Sequence, residues 1–204
     1  MLLKLTINSL YARLLTVSMT VLTISLSLML YLSVEKLRSS AYTSFTNTIS
    51  QTDLIVGSRT GSVQLLLYSV FRIGNATNNI TWESYEDIIN RDEIKWSVPI
   101  SLGDSHKGFR VMGTNTDFFK RYKYRGDRSL KIEEGKYFVD LYDVVIGFGV
   151  AEKLGYKIST PLIVSHGLKS FLEHDDQPFK VSGILAKTGT PVDNTIIVSL
   201  EAIE

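Results

Sequence analysis

The hydrophobic and polar positions of this chain separate one long apolar run near the N-terminus from a longer region of short mixed segments. The apolar run extends from Leu14 to Val34 and contains no charged residue, proline or glycine. At a rise of about 1.5 Å per residue, a helix of this length is roughly 30 Å long, which matches the hydrocarbon core of a bilayer. A buried helix of a soluble protein would instead carry a polar stripe. The pattern therefore predicts a transmembrane helix over residues 14–34.

The segment that follows the apolar run, residues 35–51, also lacks glycine and proline. Its apolar residues recur every four positions: Leu37, Ala41, Phe45 and Ile49. This spacing places them on one face of a helix. We expect the membrane helix to continue outward as a stalk whose apolar stripe packs on the next domain.

Beyond residue 51 the pattern indicates short strands and short helices without a regular βαβ period, which predicts an α+β domain. Residues 63–73 are predicted to form a buried amphipathic helix, with an exposed partner-binding patch as the alternative. Residues 103–105 (Gly-Asp-Ser) are predicted to form a turn. Further helices are predicted over residues 84–90, 116–122 and 150–154, and strands over residues 53–57, 96–102, 108–113, 143–147, 161–165, 179–185 and 195–200.

The chain is thus expected to have four parts: a cytoplasmic or interfacial leader at residues 1–13, the transmembrane helix at 14–34, the stalk at 35–51 and a folded domain at 52–204. Cleavage after a signal peptide is the alternative for the N-terminus. The apolar run is longer than the about 7–15 residues of a signal peptide, so we expect a retained anchor.

The charges that flank the span do not decide its orientation. Lys4 and Arg13 precede it and Lys36 and Arg38 follow it, and acidic residues count little in the positive-inside rule. We expect residues 35–204 to lie outside the cytoplasm.

Composition narrows the classes of function. The chain has 22 Lys and Arg against 21 Asp and Glu, so no basic field would attract nucleic acid. It has no cysteine, which excludes disulfides, a thiol nucleophile and thiolate metal sites. The domain must be held by a hydrophobic core, to which the 9 Phe and 10 Tyr residues can contribute.

The sequence contains no recognisable catalytic motif. G-x-S-x-G, Walker A and H-E-x-x-H are absent, and Gly147-Phe148-Gly149 lacks the third glycine of a dinucleotide-binding loop. We therefore expect no catalytic residue and no cofactor, and we expect that the chain is not itself an enzyme.

The histidines are weak candidates for a metal site. His166 is followed by His174, Asp175 and Asp176, and imidazole with carboxylates can bind Zn²⁺ where a fold brings them together. The spacing matches no standard site, so a solvated hairpin loop is the favoured interpretation and metal binding the alternative. His106, beside the predicted Gly-Asp-Ser turn, is expected to be a solvated loop residue.

A second turn combines glycine and proline in the sequence Thr188-Gly189-Thr190-Pro191-Val192-Asp193. We expect a rigid connection between two strands, with the Asp193 carboxylate available to accept bonds from backbone N–H groups. No acid or base partner for catalysis by this carboxylate is identifiable.

Several segments resemble bacterial ABC-transporter permeases of the MacB/FtsX/LolC superfamily. The most specific is the Thr188–Asp193 turn together with the strand at 179–185 before it. Looser similarity covers residues 111–119, 132–138 and 144–155, and the run before the first span. Residues 156–161 depart from the family pattern because they lack its usual glycine–acid turn.

The resemblance implies a four-helix permease with a large extracytoplasmic α+β domain, often two-lobed, between its first and second helices. Its implied partners are a cytoplasmic ATPase subunit, a second permease copy or paralogue, the membrane, and a periplasmic lipoprotein or substrate-binding protein. It also places residues 35–204 in the periplasm of a protein of the bacterial inner membrane. Because the chain stops where the outer domain would lead back to the remaining helices, we expect the N-terminal part of a permease.

The favoured interpretation is a permease subunit that transmits motion from the ATPase to its periplasmic domain. The alternative is a self-standing, membrane-anchored binding or sensor module, with His166 and His174 as candidate metal ligands. The sequence does not identify the transported substrate.

Overall fold

The computed structural model of the chain describes residue 9 and residues 11–74, 78–166 and 178–203. The chain divides into two compact units, Met1–Phe45 and Thr46–Glu204. The strands and short helices described below all lie in the second unit, so the predicted α+β class is confirmed.

The first long element is a single helix, α1, which spans Leu14–Thr48. Its segment Leu14–Ser44 is long and apolar enough to cross a membrane, and its most apolar part is not buried against the rest of the chain. Hydroxyl groups in the helix donate to carbonyl oxygens one turn earlier, as from Thr20 Oγ1 to Thr16 O at 2.9 Å and from Thr23 Oγ1 to Met19 O at 2.8 Å. These hydroxyl groups are therefore satisfied within the helix itself.

The second unit combines short helices with a mixed sheet. Its α-helices are α2 (Ser62–Ser69), α3 (Trp82–Ile89), α4 (Asp117–Arg121) and α5 (Phe148–Leu154). Its strands are β1 (Ile100–His106), β2 (Phe109–Thr114), β3 (Lys123–Tyr124), β4 (Arg128–Ser129), β5 (Ile132–Gly135), β6 (Asp143–Ile146), β7 (Pro161–Leu162), β8 (Ser165–His166), β9 (Phe179–Leu185) and β10 (Thr195–Ser199). Two 3₁₀ turns, Pro191–Asn194 and Leu200–Ala202, flank β10.

Among the described residues the main sheet has the strand order β5-β9-β6-β10-β2-β1-β8, with β7 also paired to β9. The pairs β6–β9 and β10–β2 are parallel and the other pairs are antiparallel. Strands β3 and β4 form a separate two-stranded hairpin. A mixed sheet of this kind fits the absence of a βαβ period in the sequence.

The central strands are buried on both faces of the sheet. In β6, Val144 and Ile146 belong to one apolar cluster and Val145 to the other, and all three are fully buried. In β10, Ile196 and Ile197 divide between the clusters in the same way. Because successive side chains of a strand point to opposite faces, a continuous β-branched run supplies both halves of the core.

Several predicted elements agree closely with the structure. The strand predicted at 179–185 is β9, and those at 143–147 and 195–200 differ from β6 and β10 by one residue. The helix predicted at 150–154 begins two residues earlier and ends, as expected, at Gly155, whose φ of 67° is the left-handed conformation that closes a helix. The helix predicted at 116–122 is α4.

The predicted strand at residues 53–57 is wrong. This segment pairs with no strand in the described part of the chain, and Leu54 and Val56 are 69% and 48% exposed. An apolar run of this length becomes a strand only beside a free sheet edge. The prediction of a buried helix at 63–73 is also wrong in part, because α2 ends at Ser69 and contains no buried residue.

The first strands of the sheet are displaced from their predicted positions. Strand β1 begins four residues after the predicted start at residue 96, and it passes through the predicted turn at residues 103–105 with an irregularity in register. The turn lies instead at Lys107 and Gly108, whose φ values are 47° and 84°. Positive φ at both central residues is the geometry that joins antiparallel strands tightly. Helix α3 likewise starts at Trp82, with Thr81 rather than Ser84 as its N-cap.

Candidate functional site

The turn between β9 and β10 is built around the Asp193 carboxylate. Asp193 is 7% exposed, and its Oδ1 accepts bonds from Thr188 N at 2.8 Å and Thr188 Oγ1 at 2.7 Å. Its Oδ2 accepts a bond from Gly189 N at 2.8 Å. A buried carboxylate requires such donors, and here they come from the turn itself. The predicted bonding of Asp193 to backbone N–H groups is therefore confirmed.

Thr190 connects this turn to Tyr122 at the end of α4. Thr190 Oγ1 lies 2.8 Å from Thr188 Oγ1 and 3.3 Å from the Tyr122 hydroxyl. The Tyr122 hydroxyl donates to the carbonyl oxygen of Thr48 at 2.6 Å. Burial raises the pKa of Tyr122, and the nearby Thr190 hydroxyl opposes that rise. A continuous series of hydrogen bonds thus connects Asp193 to the last residue of α1.

Within the second unit, backbone bonds connect residues 47–50 to the β3–β4 hairpin. Ser50 N donates to Lys123 O and Arg125 N donates to Asn47 O, both at 2.9 Å. Gly126 N donates to Ser50 Oγ at 3.1 Å. These bonds connect the residues that leave the helix, 47–51, to residues 122–127. We call this contact the domain junction.

A large open cavity lies beside the domain junction. Its volume is about 820 Å³, and its walls come from the segment 52–60, helices α2 and α3, the start of β1, and Tyr122. Its lining includes Phe118 of α4, which belongs to the same apolar cluster as Met112 of β2. The exposed apolar segment that was expected to be a strand therefore forms part of a cavity wall.

The predicted metal candidates are only partly described. His166 lies in β8, where its backbone pairs with Asp104 of β1, whereas His174, Asp175 and Asp176 lie outside the described residues. Within residues 11–74, 78–166 and 178–203, no group of three or more His, Asp or Glu residues could hold a metal ion. Metal binding through His166 and His174 stays a prediction.

The prediction for His106 is wrong. It is 8% exposed in β1, with Nδ1 2.5 Å from Ile163 O and Nε2 2.7 Å from the Tyr156 hydroxyl. Because a carbonyl oxygen only accepts, Nδ1 carries a proton and donates it to Ile163 O. His106 is a buried structural residue.

The sequence did not single out two residues of this region. Tyr122 bonds to Thr48, and Arg72 lines the cavity. Nothing in the local pattern around Tyr122 indicates that its hydroxyl reaches Thr48. Arg72 did carry a signal, because a cation within the apolar run 63–73 requires either solvent or an anionic partner.

Comparison with known proteins gives a family match over most of the chain. The model of the MacB-like periplasmic core domain matches residues 14–204. No curated protein sequence matches the chain.

Two solved structures are similar at low sequence identity. The periplasmic region of MacB from Actinobacillus actinomycetemcomitans is 12% identical, with a TM-score of 0.42, over 71% of this chain and 63% of that one. A domain from Porphyromonas gingivalis assigned as a permease protein is 9% identical, with a TM-score of 0.35, over 50% of this chain and 44% of that one. This chain therefore spans less than two thirds of either.

Proposed function

Since the chain belongs to the MacB-like periplasmic core domain family of ABC-transporter permeases, we propose that it transmits the motion of a cytoplasmic ATPase to its periplasmic domain. The chain is a membrane protein with a periplasmic segment, and α1 is its candidate transmembrane helix. In the proposed arrangement residues 14–34 cross the bacterial inner membrane, residues 35–51 form the stalk and residues 52–204 form the periplasmic domain. ATP hydrolysis belongs to a partner subunit.

The observation that carries this proposal is the domain junction. Motion of a membrane helix reaches a domain only where the two are firmly connected. At residues 47–51 the connection consists of main-chain hydrogen bonds to residues 123 and 125. The Tyr122 hydroxyl adds a bond to Thr48 and lies next to the turn at residues 188–193. Main-chain bonds have little freedom to stretch, so a displacement of Thr48 is passed on to the hairpin and the turn.

The proposed assembly contains two permease chains, identical or paralogous, with ATPase subunits on the cytoplasmic side. A periplasmic lipoprotein or substrate-binding protein is the proposed partner of the outer domain. The reading frame beyond codon 204 tests this arrangement directly. Three further apolar segments beside an ATPase gene are expected, and a stop codon at that position would favour a self-standing anchored module.

Replacement of Tyr122 by Phe tests the coupling role in the complete transporter. Tyr122→Phe keeps the ring that packs on Phe118 and Tyr124 but removes the hydroxyl that reaches Thr48. We expect about fivefold less transport per ATP hydrolysed, because loss of about 1 kcal/mol changes the population of coupled states by that factor. Transport and ATP hydrolysis are measured together in proteoliposomes.

Tyr124→Phe is the matched control, since this neighbouring tyrosine packs on the same ring and none of the described hydrogen bonds involves its hydroxyl. It should leave the ratio of transport to hydrolysis unchanged. Equal ratios in both variants and the wild-type transporter would contradict the proposed path through Tyr122.

A further inference from the structure

The cavity beside the domain junction has the size and lining of a ligand site. Its volume of about 820 Å³ falls within the range of about 300–1,000 Å³ that small-molecule sites occupy. Apolar side chains dominate its walls, among them Leu54, Val56, Ile80 and Trp82, which are between 37% and 69% exposed. Large apolar side chains left open to solvent in a concave surface indicate that something apolar covers them.

One wall of this cavity contains a buried cation that has no anionic partner among the described residues. Arg72 lines the cavity, and its Nε and Nη1 atoms are inaccessible to solvent and form no hydrogen bond within the described part of the chain. Its Nη2 donates to Met112 Sδ at 2.9 Å, a weak acceptor. The ion pairs among the described residues join other side chains, so no carboxylate neutralises Arg72 there.

Burial makes the unpaired guanidinium unfavourable. It lowers the pKa of Arg72 from its ordinary value to about 10, while the nearby Tyr122 and Tyr68 favour the charged form. The side chain therefore remains protonated at neutral pH. A buried charge without an opposite charge is strongly destabilising, and proteins offset it by pairing. An anion placed beside Arg72 would neutralise this charge.

We propose that the cavity binds an amphipathic small molecule with a single carboxylate, which pairs with Arg72 while its apolar body covers the exposed cavity wall. A guanidinium matches the planar geometry of a carboxylate. A monoanion is favoured because it balances the one buried cation without leaving surplus charge. The second arginine of the cavity, Arg121, is exposed and lies over the Trp96 ring at 5.4 Å. This site belongs to the domain itself and requires no ATPase, so it is independent of the proposed coupling.

The test uses the full chain in phosphatidylcholine nanodiscs, titrated calorimetrically with octanoate and with 1-octanol, with empty nanodiscs subtracted. The two probes share an apolar body and differ in the anionic head. We expect the wild-type chain to prefer octanoate by about tenfold, the ratio that corresponds to about 1.4 kcal/mol. In Arg72→Met, which keeps apolar volume and removes the charge, this preference should disappear. Arg121→Met is the matched control and should retain it.

Thermal unfolding gives a second readout that also reports on folding. Without ligand, Arg72→Met should unfold at the same or a higher temperature than wild type, because an uncompensated charge has been removed. Octanoate should raise the unfolding temperature of the wild-type chain and of Arg121→Met but not of Arg72→Met. Absence of any octanoate preference in the wild-type chain, or its persistence in Arg72→Met, would overturn the proposal. If Arg72→Met does not fold, Arg72→Lys, which keeps the charge but not the planar geometry, should bind octanoate measurably more weakly.

Discussion

Asp193 shows how one buried carboxylate organises a turn. Its two oxygens accept three bonds, from the Thr188 backbone, the Thr188 hydroxyl and the Gly189 backbone, all between 2.7 and 2.8 Å. Pro191 fixes φ at the first position of the 3₁₀ turn that carries Asp193. The carboxylate and the ring together hold the turn in one conformation, and Thr190 is thereby kept within reach of Tyr122.

Asp193→Asn is expected to lower the free energy of unfolding by about 1–3 kcal/mol, because the amide nitrogen would face an N–H donor and leave it unsatisfied. Chemical denaturation of the chain in detergent, followed by tryptophan fluorescence, measures this change. Asp117→Asn is the control, since Asp117 forms an exposed ion pair with Lys120 and its loss should cost less than about 1 kcal/mol. Equal destabilisation of both variants would contradict a special role for the Asp193 carboxylate.

At the scale of the element, the continuity of α1 matters most for the proposed mechanism. The helix runs without interruption from Leu14 to Thr48 and so includes both the proposed span and nearly all of the proposed stalk. Hydroxyl side chains bond within it, as from Ser27 Oγ to Thr23 O at 2.9 Å. A continuous helix transmits displacement along its axis, whereas a break would absorb it.

Ala41→Pro is expected to kink α1 in the proposed stalk, because proline removes one main-chain hydrogen bond and its ring clashes with a carbonyl, at a cost of about 3 kcal/mol or more. In the complete transporter, ATP hydrolysis should continue while transport falls, and the ATPase subunit should still co-purify. Ala41→Ser preserves the backbone N–H and should behave like wild type. Undiminished transport by Ala41→Pro would rule out transmission along this helix.

The β1–β2 hairpin illustrates why element boundaries are difficult to predict. Gly103, Asp104 and Ser105 have the composition of a turn, yet they lie inside β1. The register shifts between Leu102 and Ser105, so the strand accommodates these residues as an irregularity, and the actual turn forms at Lys107 and Gly108. The pairing of β1 with both β2 and β8 outweighs the preference of residues 103–105 for a turn.

At the scale of the whole molecule, the proposed span at residues 14–34 predicts at which positions an added charge hinders insertion of the helix into a membrane. Arginines in place of Ile24 and Leu28 should reduce insertion, because each costs about 2.5–3.5 kcal/mol near the centre of a membrane helix. Arginines in place of Leu37 and Ala41, in the proposed stalk, should have little effect.

A microsomal insertion assay can measure this difference with the chain's own Asn-x-Thr sequences, which begin at Asn75 and Asn79. They are glycosylated when residues 35–204 reach the lumen. The wild-type chain and the Leu37/Ala41 variant should be modified, and the Ile24/Leu28 variant much less. Similar modification of all three chains would contradict the proposed span, and no modification of any would contradict the proposed orientation.

The sequence by itself determined the features that depend on local hydrophobicity and backbone chemistry. The apolar run at 14–34 predicts a membrane helix whatever surrounds it, because the bilayer selects on length and composition alone. Strand β9 was predicted from a short segment that contains the β-branched residues Val181 and Ile184. The end of α5 was predicted because Gly155 accepts a positive φ. The family resemblance rested on the turn at 188–193 and agrees with the family match.

Only the tertiary structure decided which distant residues meet. Tyr122 and Thr48 are 74 positions apart, and His106 and Tyr156 are 50 apart, so no local pattern relates them. The exposure of Leu54 and the lack of a carboxylate beside Arg72 in the described structure could not be predicted for the same reason. Whether an apolar run is covered, or a cation is paired, depends on how other segments pack around it. Hydrophobic pattern acts within a few residues of the chain, whereas the cavity and the domain junction arise from contacts that close long loops.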